Sequence, residues 1–250
     1  MEPDLDFAHE LADAADAVTV AAFRTRDLDV TTKADSTPVS AADRGAEESI
    51  RSLVASRRSG ETVFGEEHGD DGGDVRWIVD PIDGTRNYIR GIPVWATLIA
   101  LEREGVVDVA VVSAPALGRR WWASRGGGAV ADGDRCSVSS VARLEDAVVS
   151  TTSPPDMPRG WTALSEKALA VRGFSDFWQH CLVAEGAVDV ATDYELELWD
   201  YAAIALIVAE AGGRCSTFEG DVPLPRRSFV STNRALHDAA TSLLASVAAS

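Results

Sequence analysis

The chain has 250 residues, of which 46% are apolar and 25% are charged. That balance is typical of a folded globular protein, and the length suits one large domain or two small ones. The 40 acidic residues outnumber the 23 basic ones, so the formal net charge is −17. A surface this acidic repels a phosphate backbone and argues against nucleic-acid binding. The acidity either serves solubility or gathers some carboxylates around a cation.

Other bulk features exclude further classes. No segment approaches the roughly 20 apolar residues that a membrane span needs, and the acidic start MEPDLDFAHE lacks the basic and apolar regions of a signal peptide. The three cysteines are widely spaced and form no C-x-x-C motif. This pattern argues against a disulfide framework and against a zinc–thiolate site. We therefore expect a cytoplasmic protein with no membrane partner.

The first third of the chain predicts two helices. Apolar residues recur at near-helical spacing over residues 5–26. A second helix is expected to begin at Ser40, with Asp43 completing a start that resembles a capping box, and to stop near Gly60. The segment 28–40, rich in Thr, Ser, Asp and Pro, predicts a loop or short extended chain.

The middle third predicts an antiparallel sheet. Residues 75–79 are apolar and β-prone, and Pro81 is expected to end their strand. Two hairpins should follow. Their predicted strands are 94–101 with 106–112, and 119–124 with 128–130.

After about residue 145 strands and helices alternate, which is typical of an α/β architecture. We therefore expect two subdomains: an α+β part over 1–145 and an α/β part over 146–250. Prolines at 154, 155 and 158 indicate a surface loop. The predicted helices are 177–186, 199–211 and 237–247, and the predicted strands are 147–150, 188–191, 214–217 and 228–231.

The motif that carries chemistry is VDPIDGT at residues 79–85. Asp80 and Asp83 follow an apolar strand, where a carboxylate is costly unless its charge is compensated. Pro81 stiffens the turn, and the carbonyl of Ile82 can face the same point. Hard oxygen ligands suit Mg²⁺, which is commonly bound together with a substrate phosphate. The motif predicts a magnesium site and a phosphate-ester substrate.

A competing phosphatase motif also contains two nearby aspartates followed by Gly-Thr. Phosphatases that form an aspartyl-phosphate intermediate carry D-x-D-G-T, with one residue between the aspartates. This chain has two residues there, one of them Pro81, and no clear downstream lysine motif of that kind. The spacing therefore disfavours a covalent aspartyl mechanism.

The sequence resembles the inositol monophosphatase-like, metal-dependent phosphatases, a family that includes fructose-bisphosphatases. The matching pieces occur in the family's order along nearly the whole chain. They are Lys33–Asp35, Thr37–Ser40 with Asp43, Gly65–Glu67, Trp77–Thr85 with Asn87–Tyr88, Trp199–Asp200 with Ala202–Ala203, and Glu210–Gly213. The implied fold is a layered α/β/α/β/α sandwich, and relatives in the family are commonly homodimers.

The resemblance also implies roles for individual residues. Two Mg²⁺ ions are expected, with a third, weaker ion held largely by Glu66 and water. The first ion would be bound by Glu66, Asp80 and the carbonyl of Ile82, and the second by Asp80, Asp83 and Asp200. Glu67 would be a ligand or orienting residue of the same cluster. Thr85 with Asp43 would position and deprotonate the attacking water, while the amides of Gly84 and Thr85 would hold the phosphate.

The choice of phosphate ester rests on finer features. Segments 90–96 and 112–123 resemble the histidinol-phosphatase branch of the family. The resemblance places Ser175, Asp176 and Asp193 beside the alcohol part of the substrate. Two aspartates suit a substrate with an ammonium group, such as L-histidinol phosphate. Asp193, where inositol-type enzymes have Glu, and Ser175, where this branch has Gly, depart from the family pattern.

The expected reaction is therefore hydrolysis of L-histidinol phosphate to L-histidinol and phosphate, a step of histidine biosynthesis. Alternatives in the same class are an inositol-1-monophosphatase and a broad sugar-phosphate phosphatase. Adenosine 3′,5′-bisphosphate is a weaker candidate substrate, because no basic group is evident for a second phosphate. An alternative of a different class is a catalytically idle regulatory protein that binds Mg²⁺ or phosphate.

Overall fold

The computed structural model describes residues 2–25, 30–32, 38–152, 159–220 and 228–245. The chain divides into two compact units, one of Met1–Arg125 with Leu198–Leu206 and the other of Gly126–Glu197 with Ile207–Ser250. The subdomain boundary expected near residue 145 stays a prediction. No helix within these described ranges is long and apolar enough to cross a membrane.

The first unit is a sheet with helices against it. The helices are α1 (Glu2–Ala22), α2 (Ala41–Arg57) and α3 (Thr85–Ile89); the strands are β1 (Val30–Thr32), β2 (Pro38–Ser40), β3 (Thr62–Gly65), β4 (Gly69–Asp70), β5 (Val75–Asp83), β6 (Ala96–Arg103), β7 (Val106–Ala114) and β8 (Arg119–Ser124). The sheet has the strand order β8-β7-β6-β5-β3-β4, in which β3 and β5 run parallel and the other neighbours antiparallel. The predicted antiparallel sheet therefore contains one parallel pair.

Helices α1 and α2 both contribute apolar residues to the core of this unit. Leu11 and Ile50, one from each helix, are fully buried in one cluster with Trp77 of β5. Helix α2 begins as predicted: the Ser40 side chain accepts from the amide of Ala42, and the Asp43 carboxylate accepts from the amide of Ser40. The cap fixes the orientation of the Asp43 carboxylate.

Strand β5 corrects one prediction. It does not end at Pro81 but continues to Asp83, with a register shift against β6 between the pairs Asp80↔Leu98 and Asp83↔Ala96. Proline has no N–H for the ladder, and an irregularity in the pairing accommodates it. The hydroxyl of Thr97 donates to the Pro81 carbonyl at 2.9 Å. The local distortion keeps both aspartates on the sheet.

The second unit is built on a mixed sheet. The elements of this part are β9 (Gly128–Ala131), β10 (Asp134–Arg135), β11 (Val148–Thr151), α4 (Arg159–Lys167), β12 (Ala170–Arg172), α5 (Asp176–Ala184), β13 (Val190–Tyr194), α6 (Leu198–Glu210, whose first part belongs to the other unit), β14 (Arg214–Ser216), β15 (Ser228–Thr232) and α7 (His237–Ala245). The sheet has the strand order β12-β11-β13-β15-β14, in which β11 runs parallel to β12 and β13. Helix α4 and strand β12 were not predicted, and the loop expected at 154–158 lies outside the described residues.

Candidate active site

Three aspartates meet at the end of β5. Asp80 and Asp83 come from the strand itself and Asp200 from the first turn of α6. One carboxylate oxygen from each lies within 4.8 Å of the other two, close enough to share one metal ion. The ring of Trp199, next to Asp200, contacts the ring of Phe64 edge-on at 5.4 Å. That contact fixes the start of α6 against β3.

Asp80 is the most deeply buried carboxylate of this cluster. Asp80 is only 2% exposed, and its Oδ1 accepts the amide of Ile82 at 2.9 Å. Burial raises the pKa of Asp80 well above its usual range, and the neighbouring charges of Glu66, Asp83, Asp200 and Asp43 raise it further. Like charges this close favour a bound cation. Carboxylate oxygens are the donors that Mg²⁺ prefers, so the residues present fit that ion.

Glu66, directly after β3, lies close enough to this cluster for its charge to act on Asp80. The amide of Glu66 donates to the carbonyl of Val79 at 3.2 Å, so the parallel strands carry Glu66 to the level of Asp80. The charge of Glu66 raises the pKa of both Asp80 and Asp43. Within the described residues, Glu66 and Glu67 are not part of the group of oxygens within 4.8 Å.

The predicted water-positioning pair is in contact. The Thr85 hydroxyl lies 3.3 Å from Asp43 Oδ1 and 2.9 Å from the carbonyl of Ile82. Asp43 is fully buried. Its pKa is raised, chiefly by burial and also by the charge of Glu66, although hydrogen bonds from Ser40 act in the opposite direction. The Ile82 carbonyl keeps a second lone pair for another partner.

Gly84 connects these residues. It has φ 82° and ψ 35°, a left-handed conformation in which a side chain would be strained. It directly precedes the short helix α3, which begins at Thr85. The glycine therefore lets the chain turn sharply from Asp83 to Thr85.

Ser175, Asp176 and Asp193 belong to the second unit. Ser175 has φ 71° and ψ 146°, a combination that is nearly confined to glycine, and Asp176 also has a positive φ of 45°. The Ser175 hydroxyl contacts Asp176 Oδ2 at 2.5 Å, and the amide of Asp176 donates to Thr152 Oγ1 at 2.9 Å. Two consecutive strained residues mark a segment whose shape is held by its surroundings.

Asp193 lies in a buried polar network. Its Oδ2 accepts from Gln179 Nε2 at 2.7 Å and contacts His180 Nε2 at 3.0 Å. The other ring nitrogen of His180 contacts the Ser231 hydroxyl at 2.7 Å, and the Ser150 hydroxyl donates to Gln179 Oε1 at 2.7 Å. The carboxylate is thus held on one side by two neighbours from helix α5.

Comparison with known proteins identifies the family. The sequence model of the Inositol monophosphatase family matches residues 1–249. The chain is 47% identical over 247 residues to a histidinol-phosphatase of Mycobacterium tuberculosis, covering 94% of this chain and 95% of that protein. It is 46% identical over 250 residues to a histidinol-phosphatase of Streptomyces coelicolor, covering 94% of each. A solved inositol monophosphatase of Thermotoga maritima superposes with a TM-score of 0.89 at 30% identity, covering 98% of each chain.

The chain belongs to the inositol monophosphatase family. This confirms the family resemblance and the fold class predicted from the motifs, and it makes the chain a phosphoric monoester hydrolase. The structure brings together Asp80, Asp83 and Asp200, and separately Thr85 and Asp43. The individual ligand and catalytic roles stay predictions.

Sequence reasoning missed residues that contact the predicted site residues. Glu47 is fully buried and accepts the amide of Glu67 at 2.7 Å. Gln179 and His180 hold Asp193. A signal for Glu47 was available: it stands four residues after Asp43, on the same face of a helix that begins at Ser40.

Proposed function

We propose that this chain is a Mg²⁺-dependent histidinol-phosphatase, which hydrolyses L-histidinol phosphate to L-histidinol and phosphate. The observation that carries the reaction class is the cluster of Asp80, Asp83 and Asp200 at the end of a buried strand. The substrate assignment is supported by the two histidinol-phosphatases that match 94% of the chain.

The metal ligands are proposed residue by residue. Glu66, Asp80 and the Ile82 carbonyl would bind one Mg²⁺, and Asp83 with Asp200 would join Asp80 around a second. Glu67 would bind or orient within the cluster, and Glu66 with water would hold a third, weaker ion. Bound Mg²⁺ supplies charge for the phosphate oxygens and lowers the pKa of water.

The chain's own residues would then handle the water. The Thr85 hydroxyl, which contacts Asp43 at 3.3 Å, orients the attacking water, and the Asp43 carboxylate accepts its proton. The water oxygen forms a bond to phosphorus as the bond to the alcohol oxygen breaks, and the alcohol leaves with a proton from solvent. The amides of Gly84 and Thr85 hold the phosphate oxygens. No protein nucleophile is needed.

Asp176 and Asp193, with Ser175, would bind the alcohol end of the substrate. An ammonium group pairs with a carboxylate, and a buried carboxylate does so more strongly than an exposed one. Asp193 is 7% exposed and held by Gln179, so it presents a fixed charge. We further propose that the protein is a cytoplasmic homodimer.

A substrate panel tests the function. Purified protein with Mg²⁺ would be assayed for phosphate release from L-histidinol phosphate, inositol 1-phosphate, fructose 1,6-bisphosphate and adenosine 3′,5′-bisphosphate. We expect the largest kcat/KM with L-histidinol phosphate and no release after chelation of Mg²⁺. A larger kcat/KM with inositol 1-phosphate would contradict the substrate assignment. No release from any ester would favour an idle binding protein.

A further inference from the structure

The geometry points to Glu47 as a positioning residue that holds the Gly65–His68 segment so that Glu66 and Glu67 face the aspartate cluster. This inference rests on the proposed metal site. Glu47 lies on α2, and its side chain is fully buried although it carries a carboxylate. A buried carboxylate persists only where its oxygens are satisfied by donors.

Those donors come from the segment that carries the two glutamates. Oε2 of Glu47 accepts the amide of Glu67 at 2.7 Å, and Oε1 accepts the amide of His68 at 3.2 Å. The ring of His68 also lies 3.2 Å from Oε1. Both oxygens of one side chain thus bind consecutive amides directly after Glu66, which fixes the path of the backbone there.

Gly65 fits tightly against the same carboxylate. A Cβ at Gly65 would lie 2.2 Å from both Cδ and Oε1 of Glu47, a distance at which the atoms overlap. Only glycine lets the carboxylate reach beneath the end of β3 to the amides beyond. The backbone of the segment and the side chain of Glu47 are therefore built to fit each other.

Arg51, one turn further along α2, completes the attachment. Its Nε pairs with Glu47 Oε1 at 2.8 Å, and its other nitrogens reach the Gly69 carbonyl and Asp71 Oδ2, each at 2.6 Å. The cation offsets the cost of burying Glu47. Together the side chains of Glu47 and Arg51 hold the segment from Glu67 to Asp71 against one face of α2.

The same helix also carries Asp43, four residues before Glu47 and on the same face. Asp43 contacts Thr85, and Glu47 contacts the Glu67 amide. One rigid helix thereby sets the position of two parts of the site that are far apart in sequence. Residues that hold metal ligands typically change metal affinity about 10- to 100-fold when they are mutated.

The test is Mg²⁺ affinity, measured by isothermal titration calorimetry on the purified protein. Glu47→Gln keeps the size of the side chain but loses one acceptor oxygen and the charge that pairs with Arg51. We expect the Kd for Mg²⁺ to rise about 10-fold or more, with phosphate release partly restored at high Mg²⁺. The matched control is Glu10→Gln, which also removes an ion pair with an arginine of α2, Arg57, at a side chain that is 47% exposed; its Kd should stay unchanged.

The outcomes separate the possible failures. If the unmodified protein binds no Mg²⁺, the proposed metal site is wrong. If it binds Mg²⁺ and Glu47→Gln binds equally well, Glu47 has only a structural role. Should Glu47→Gln not fold, Gly65→Ala is the second variant, because its Cβ pushes the Glu47 carboxylate out of place without removing its charge. An unchanged Kd for Gly65→Ala would equally overturn the inference.

Discussion

Asp80 in the first unit and Asp193 in the second are both almost fully buried, at 2% and 7% exposed, yet their surroundings differ. Burial raises the pKa of Asp80, and the charges of Glu66, Asp83 and Asp200 around it raise it further. Asp193 instead accepts a hydrogen bond from the neutral amide of Gln179 and contacts His180.

The difference shows two ways of using a buried carboxylate. A cluster of like charges is unfavourable until a cation binds, so such a cluster favours metal binding. A carboxylate held by protein donors is already stable and is set in place before any ligand arrives. We therefore expect the first region to respond strongly to Mg²⁺ and the second to respond to the identity of the alcohol.

The largest expected effect comes from Asp80→Asn. Losing one carboxylate from the cluster should lower kcat/KM about 1,000-fold, which corresponds to about 4 kcal/mol of lost electrostatic stabilisation. The same change removes repulsion, so the Tm in EDTA should stay equal or rise. Phosphate-release kinetics measure the loss of kcat/KM, and thermal unfolding in EDTA measures the Tm. Unchanged phosphate release together with unchanged Mg²⁺ affinity would refute the metal assignment as a whole.

Removal of Mg²⁺ from the unmodified protein should have the next largest effect. A ligand at 100 times its Kd stabilises the native state by about 2.7 kcal/mol. For a chain of this size that corresponds to a Tm shift of roughly 5–10 °C. Differential scanning fluorimetry across a Mg²⁺ series gives the shift, and Asp80→Asn should lose most of it. A Tm that does not depend on Mg²⁺ would mean that the cluster is stable without a cation.

Asp193→Asn should act on selectivity. Replacing a charged hydrogen-bond partner costs about 1.5–3 kcal/mol, or roughly 10- to 100-fold. We expect that loss in kcat/KM for L-histidinol phosphate and a clearly smaller one for inositol 1-phosphate, which has no ammonium group. Asp238→Asn, at a side chain that is 91% exposed, is the control. Equal losses for both substrates would remove Asp193 from ammonium recognition.

The two regions also differ in how far the sequence predicts them. Asp80 and Asp83 stand out because an apolar strand leads directly into them, and the capping pattern from Ser40 correctly places Asp43 in the first turn of a helix. The continuation of β5 past Pro81 was not predictable from local rules, because a register shift against β6 accommodates the proline.

The remaining residues were not predictable because they depend on contacts between residues that are far apart in sequence. Asp200 lies about 120 residues from Asp80 in the chain, and only the family resemblance connected them. Glu47 looks like an ordinary polar residue of an amphipathic helix until the fold brings Gly65 over it. Gln179 and His180 have no local signal, since their partner Asp193 lies on another element. Local sequence patterns do not predict polar residues whose role depends on contacts with residues that are distant in sequence.

The smallest expected effect belongs to Ser175, and it tests whether strain shapes the second region. With φ 71° and ψ 146°, a serine there costs about 1–3 kcal/mol of backbone strain. Ser175→Gly relieves that strain but loses the hydrogen bond to the Asp176 carboxylate, and Ser175→Ala loses the same hydrogen bond while keeping the strain. Because glycine carries an entropic cost of about 0.5–1 kcal/mol, Ser175→Gly should be more stable than Ser175→Ala by about 1 kcal/mol, a Tm difference of roughly 2–4 °C.

The control is the same pair of substitutions at Ser165, in helix α4, where glycine should be less stable than alanine by about 0.5–1 kcal/mol. Opposite signs of the glycine–alanine difference at Ser175 and Ser165 would identify the backbone conformation at Ser175 as the cause. If Ser175→Gly also leaves kcat/KM for L-histidinol phosphate within about 3-fold of the unmodified protein, a difference below 1 kcal/mol, the hydroxyl has no role in binding. The network around Gln179 is then sufficient to set the position of the carboxylates.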